Sequence, residues 1–94
     1  MSFKWLNKQG VASSSGYVVQ SMDRFYCHYI EGEYVMVVYV EPGLDYEEVI
    51  WNWDEKWRPP HQSEEIPREK LIQIQNNISA ALSFMKTPHI FKTK

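Results

Sequence analysis

Ninety-four residues, 44% of them hydrophobic and 15% aromatic, are enough for one modest core and too apolar for a disordered chain. The net charge is −2, and a lone Cys27 cannot form the internal disulfides that a small secreted domain usually carries. No apolar run approaches the roughly 18 residues of a membrane span, and the N-terminal MSFKWLNKQG lacks the apolar centre of a secretory signal. A single domain over residues 1–94, cytoplasmic and away from the membrane, is the expectation.

In chain order, Met1 to Lys8 sets Phe3 and Trp5 at alternating positions, and residues 1–16 read as an arm or an edge strand. Ala12 to Gly16 is small and polar, a loop by composition. Tyr17 to Gln20 then reads as a strand, turned by Ser21, Met22 and Asp23. The segment from Arg24 to Glu41 is the centre of the pattern, because residues 34 to 40 (YVMVVYV) are β-branched and aromatic and Glu31-Gly32 lets them fold back as a hairpin. A two-residue loop at Glu31-Gly32 would set Tyr29 opposite Tyr34, Cys27 opposite Met36 and Phe25 opposite Val38, and a three-residue loop would shift the pairing by one.

Pro42-Gly43 breaks that strand, and Val49, Trp51 and Trp53 at period two suggest another, with a helical turn through Tyr46 and Ile50 as the weaker alternative. Pro59-Pro60 implies an extended surface connection over residues 58 to 66. From Pro67 to Lys86 the residues Leu71, Ile74, Ile78, Ala81, Leu82 and Met85 recur at steps of three and four, the stripe of an amphipathic helix that Pro67 would open and Thr87-Pro88 would end. Residues 89 to 92 return as an edge strand or pack as a tail. The fold class is α+β: an antiparallel sheet of about four to five strands, a meander around the 24–40 hairpin, packed against one long C-terminal helix over about 67–86.

Catalytic and metal chemistry finds little support. Cys27 and His28 are neighbours, but in a strand they point to opposite faces and cannot share a hydrogen bond. His61 and His89 are isolated, and no HxH, HExxH or CxxC spacing, glycine-rich phosphate loop or GxSxG elbow occurs. No cofactor, metal or enzymatic activity is expected.

Charge is the unusual feature. Residues 31 to 65 hold ten acids against Lys56 and Arg58, a balance of −8, while the rest of the chain sums to +6. The bases are spread over both termini and the helix, which argues against direct nucleic-acid binding. An acidic stretch that also carries Tyr46, Trp51, Trp53 and Trp57 suits an interface in which aromatic side chains anchor and carboxylates steer a basic partner; the bland alternative places the tryptophans in the core.

The order Asp23-Arg24-Phe25, Tyr29-Ile30-Glu31-Gly32, an apolar strand ending in Glu41, Ile50 to Trp57 with Pro59-Pro60, Ile66-Pro67-Arg68-Glu69-Lys70 and Ala81-Leu82-Ser83-Phe84 resembles small immunity proteins of bacterial contact-dependent growth inhibition, or polymorphic toxin, systems. The resemblance is one of layout and short motifs, over roughly residues 17 to 91. It implies a cytoplasmic antitoxin that binds the C-terminal toxin domain, often a nuclease with a basic cleft, and blocks its active site or an essential surface. On that reading Tyr46, Glu47, Glu48, Trp51, Trp53, Asp54, Glu55 and Trp57 are the candidate toxin-binding residues, limited to those that are exposed. Two other classes stay open: a small-molecule site using Tyr26, His28 and Tyr39 on the second sheet face, and a homo-oligomer that buries the same face.

Overall fold

The computed structural model describes residues 2–93. Seven strands form one sheet in sequence order: β1 (Phe3–Asn7), β2 (Gly10–Ser13), β3 (Val18–Ser21), β4 (Tyr26–Glu31), β5 (Tyr34–Pro42), β6 (Glu47–Trp51) and β7 (His89–Thr93). The first six pair antiparallel. β7 runs parallel to β6, because the helix α1 (Arg68–Phe84) carries the chain back across the sheet before β7 begins. The α+β class is therefore as expected, but the sheet is mixed and larger than four to five strands. Residues 1–16 supply two strands and not one arm: β1 and β2 form a hairpin around Lys8-Gln9, and much of the expected 12–16 loop lies in or beside β2. Residues 89 to 92 belong to a true edge strand.

The central hairpin adopts a third register. Glu31 faces Tyr34, Tyr29 faces Met36 and Cys27 faces Val38, so the loop residues are Gly32 and Glu33. Glycine at the first loop position with φ +63° is what a type II′ turn requires, and this decides the loop. The pairing differs by two residues from the two-residue-loop expectation. Strand periodicity is also two, so Cys27, Tyr29, Tyr34, Met36 and Val38 keep their expected face; Phe25 does not, because it precedes β4, is exposed and stacks on Tyr39 of the other face.

Helix α1 follows the apolar stripe closely. Leu71, Ile74, Ile78, Ala81 and Leu82 are buried, and Met85 packs at the margin. They meet Val11, Val19, Cys27, Tyr29, Met36, Val38, Val49 and Trp51 from one face of the sheet, and Trp57 closes the core from the loop after β6. Pro67 is the N-cap and not the first helical residue, and no side chain caps the helix there. At the other end Thr87 N–H donates to Leu82 O (2.9 Å) and Lys86 N–H to Ser83 O (3.0 Å), the paired bonds of a Schellman motif. Lys86 holds its left-handed position at φ 58°.

The 58–66 connection is folded back and not extended. Turns join His61 N–H to Arg58 O and Glu64 N–H to His61 O. The His61 ring lies on Tyr34, with centroids 4.0 Å apart, and its nitrogens meet Glu33 and Glu64. Arg58 N–H donates to Val35 O at 2.7 Å, tying the start of this segment to β5.

Candidate functional site

The acidic aromatic stretch does not form one surface. β6 alternates, so Glu47, Val49 and Trp51 share the helix-covered face while Glu48 and Ile50 point to the open one. Trp51 is fully buried, edge-on to Trp53 and Phe91, and among the described residues its indole N–H has no hydrogen-bond partner. Trp57 is 7% exposed and packs on Tyr29 and Tyr34. These two tryptophans build the core and are withdrawn from any contact surface. The period-two pattern that placed Trp51 also included Trp53, yet β6 stops at Trp51. Trp53 sits half-buried in a turn with the Arg68 guanidinium 4.1 Å above its ring.

The remaining candidates separate to the two ends of β6. At one end the β5–β6 loop projects Leu44, Asp45 and Tyr46, all exposed, with Glu41 before them and Glu47 and Glu48 after. Of these carboxylates only Glu48 has a basic partner among the described residues, Lys92 Nζ at 3.7 Å. At the other end Asp54 is exposed, while Glu55 is half-buried and accepts a hydrogen bond from Asn52 N–H at 3.3 Å. Burial, with help from Asp54, raises the Glu55 carboxyl above the usual carboxylate range despite that bond.

Part of the −8 stretch is thus consumed inside the fold. Glu31 receives Lys70 Nζ at 2.7 Å and the Tyr29 hydroxyl at 2.7 Å, while Asn77 Nδ2 donates to that hydroxyl at 3.0 Å. Burial opposes ionisation of Glu31, but the bonds from Lys70 and Tyr29 outweigh it and hold the carboxyl below its ordinary value. Tyr29 itself is pushed well up by burial and by Glu31. This network joins the hairpin turn to helix α1 and is structural. Sequence spacing gave no sign of it, since Tyr29 and Asn77 are 48 residues apart.

Cys27 and His28 do point apart. The thiol lies on the covered face, pushed up to about 12 by burial and by Glu47, and His28 lies on the open face, where burial and Arg58 lower it. A nucleophile pair is excluded on geometry. Among the described residues no cluster of histidine, cysteine or carboxylate side chains could hold a metal ion, and no helix is long and apolar enough to cross a membrane. No family model matches the chain, and no curated protein or solved structure matches it.

Proposed function

We propose that this chain is an immunity protein: a cytoplasmic binding protein, without catalysis of its own, that neutralises the C-terminal toxin domain of a contact-dependent growth inhibition system by covering a basic surface such as a nuclease cleft. The observation that carries this reading is the β5–β6 loop. It presents Leu44 and Tyr46 to solvent between Glu41, Asp45 and Glu47, three carboxylates with no basic partner within 4.0 Å among the described residues. Exposed apolar and aromatic tips bounded by unneutralised carboxylates combine anchoring with long-range steering. The resemblance of the sequence layout to toxin-system immunity proteins supplies the kind of partner. Asp54 and Glu55 would act as a secondary contact, with the half-buried Trp53 beside them.

Tagged protein used as bait in its source bacterium should retain a toxin-domain fragment through a high-salt wash, in a one-to-one ratio. With that fragment in hand, Asp45→Ala with Glu47→Ala should slow association mainly at low salt, and Tyr46→Ala should speed dissociation. Unchanged kinetics in both variants, beside a loss in Asp54→Ala with Glu55→Ala, would move the contact to the other end of β6. No retained fragment from cells that express the toxin would refute the immunity reading.

A further inference from the structure

A stable interface takes about 20–30 residues from each side, more than the β5–β6 loop can supply alone. The strand register shows what lies beside it. β1 turns into β2 at residues 8–9, β3 leads to β4 through residues 22–25, β5 leads to β6 through residues 43–46, and α1 enters β7 through residues 85–88, with His89 set beside Glu47. All four connections therefore emerge at the same end of the sheet. Among the described residues ten large apolar side chains are exposed, and all but Ile72 lie toward this end, from Trp5 and Leu6 on β1 to Ile90 on β7. Exposed apolar surface gathered at one end of a small domain marks a contact.

Charge is banded across this end. In the middle, the β5–β6 loop carries Glu41, Asp45 and Glu47. Toward β1 lies a cleft of about 470 Å³, lined by Pro42 and Glu47 on the loop side, by Lys8 and Arg24 on the far side, and by Leu82 and Met85 of the helix end. Toward β7 a second cleft, of about 500 Å³, sets Tyr46 against Lys86 and Ile90. Lys8, Arg24 and Lys86 have no acidic partner within 4.0 Å among the described residues. Asp23 is the neighbour of Arg24, but its carboxylate is committed to the turn, where it accepts Phe25 N–H at 2.7 Å and Tyr26 N–H at 3.2 Å. The loop is thus an acidic ridge between two grooves, each with a basic far bank.

We propose that this ridge inserts into a concave site of the toxin domain whose floor is basic and whose rims are acidic and apolar. The rims descend into the two grooves, where they meet Lys8 and Arg24 on one side and Lys86 on the other. Given the immunity reading, on which this rests, the binding mode is insertion and not the covering of a flat basic surface. A flat basic surface would bring like charge against all three cations, which disfavours a complex, and would leave Trp5, Met22 and Ile90 without contact.

The test is surface plasmon resonance between the purified full chain and the toxin-domain fragment that the bait retains. Lys8→Glu with Arg24→Glu is the decisive variant, because both side chains are exposed and the pair of reversals takes the net charge from −2 to −6. General attraction of an acidic chain to a basic surface would grow stronger. Insertion predicts the opposite sign: affinity falls about tenfold or more, as the new carboxylates meet acids on the rim. Lys86→Gln removes the charge of the other bank and should weaken binding about threefold. Both deficits should shrink as salt rises, which a loss of folding would not imitate. Unchanged or tighter binding by Lys8→Glu with Arg24→Glu, or full affinity in Lys86→Gln, overturns the insertion geometry and leaves the immunity reading in place. A bait that retains no toxin-domain fragment refutes both.

Discussion

The two faces of the sheet are built from the same strands and nearly the same residue types, yet they do different things. On the covered face Val19, Tyr29, Met36 and Val38 are sealed by helix α1, and polar atoms that reach it, the Trp51 indole N–H excepted, are tied up: the Tyr29 hydroxyl meets Glu31 and Asn77, and Glu31 meets Lys70. On the open face Val18, Ile30, Val35 and Val37 remain half-exposed, and ion pairs are confined to the rim, where Lys92 meets Glu48. Apolar alternation on both sides of a strand is normally the mark of a sheet covered twice. Here no element among the described residues supplies the second cover, so the alternation that builds the core on one side leaves apolar side chains half-exposed on the other.

Cavity formation should separate the faces most strongly. Ile78→Ala removes a fully buried side chain from the helix stripe and should cost about 2–5 kcal/mol, whereas Val37→Ala on the open face should cost the monomer less than about 1 kcal/mol. Denaturant unfolding of the two variants measures the difference; equal losses would mean that the open face is packed within the chain.

Chemical access should differ as well. With its thiol pushed up to about 12, Cys27 carries about a thousandfold less thiolate than an unshifted cysteine, and alkylation of the native protein should be slowed in proportion. The label should enter only on unfolding. Fast modification under native conditions would show that the covered face opens locally.

Acid should loosen the covered face through the Glu31 network. The Glu31 carboxyl is held below its ordinary value in the folded chain, so its contribution is complete above the unfolded value and is lost as pH falls through the folded one. Glu31→Gln should flatten that part of the stability profile between the two values. An unchanged acid limb would assign the loss to other carboxylates.

How much of this was readable in the chain depends on the range of the signal. The helix stripe and the faces of the paired residues 26–31 and 34–40 follow from periodicity, and they match the structure even though the turn moved by two residues, because a shift of two preserves the face of every paired residue; Phe25, outside the pairing, lies on the other face. β2 was hidden. Its four residues begin with Gly10 and end in serine, a loop composition, and what makes them a strand is pairing to both neighbours. Gly10 makes room for the Gln20 side chain: a Cβ there would lie 2.0 Å from Gln20 Oε1, so the amide that bonds Asn7 would have to move aside. The acidic stretch was legible as composition only. Whether a carboxylate steers a partner or bonds Lys70 depends on which end of β6 or which side of the hairpin it occupies, and a charge count carries no such information.

Helix α1 offers the smallest effects and tests how firmly the cover is seated. Its C-terminus already makes both Schellman bonds, but Lys86 adopts φ 58°, where a Cβ is unfavourable. Lys86→Gly should relieve that strain and raise stability by about 1 kcal/mol. At the N-terminus Pro67 contributes no side-chain oxygen, leaving the first turn without the acceptor that serine supplies, and its φ of −59° and ψ of 152° are angles serine adopts freely. Pro67→Ser should add about 0.5 kcal/mol, the gain of a cap offset by the extra freedom of the unfolded chain. Both gains should appear as slower amide exchange along α1 and leave the exchange of β1 unchanged. If β1 were protected equally, the helix and the whole sheet would open as one unit, and the division between covered and open faces would be one of surface alone.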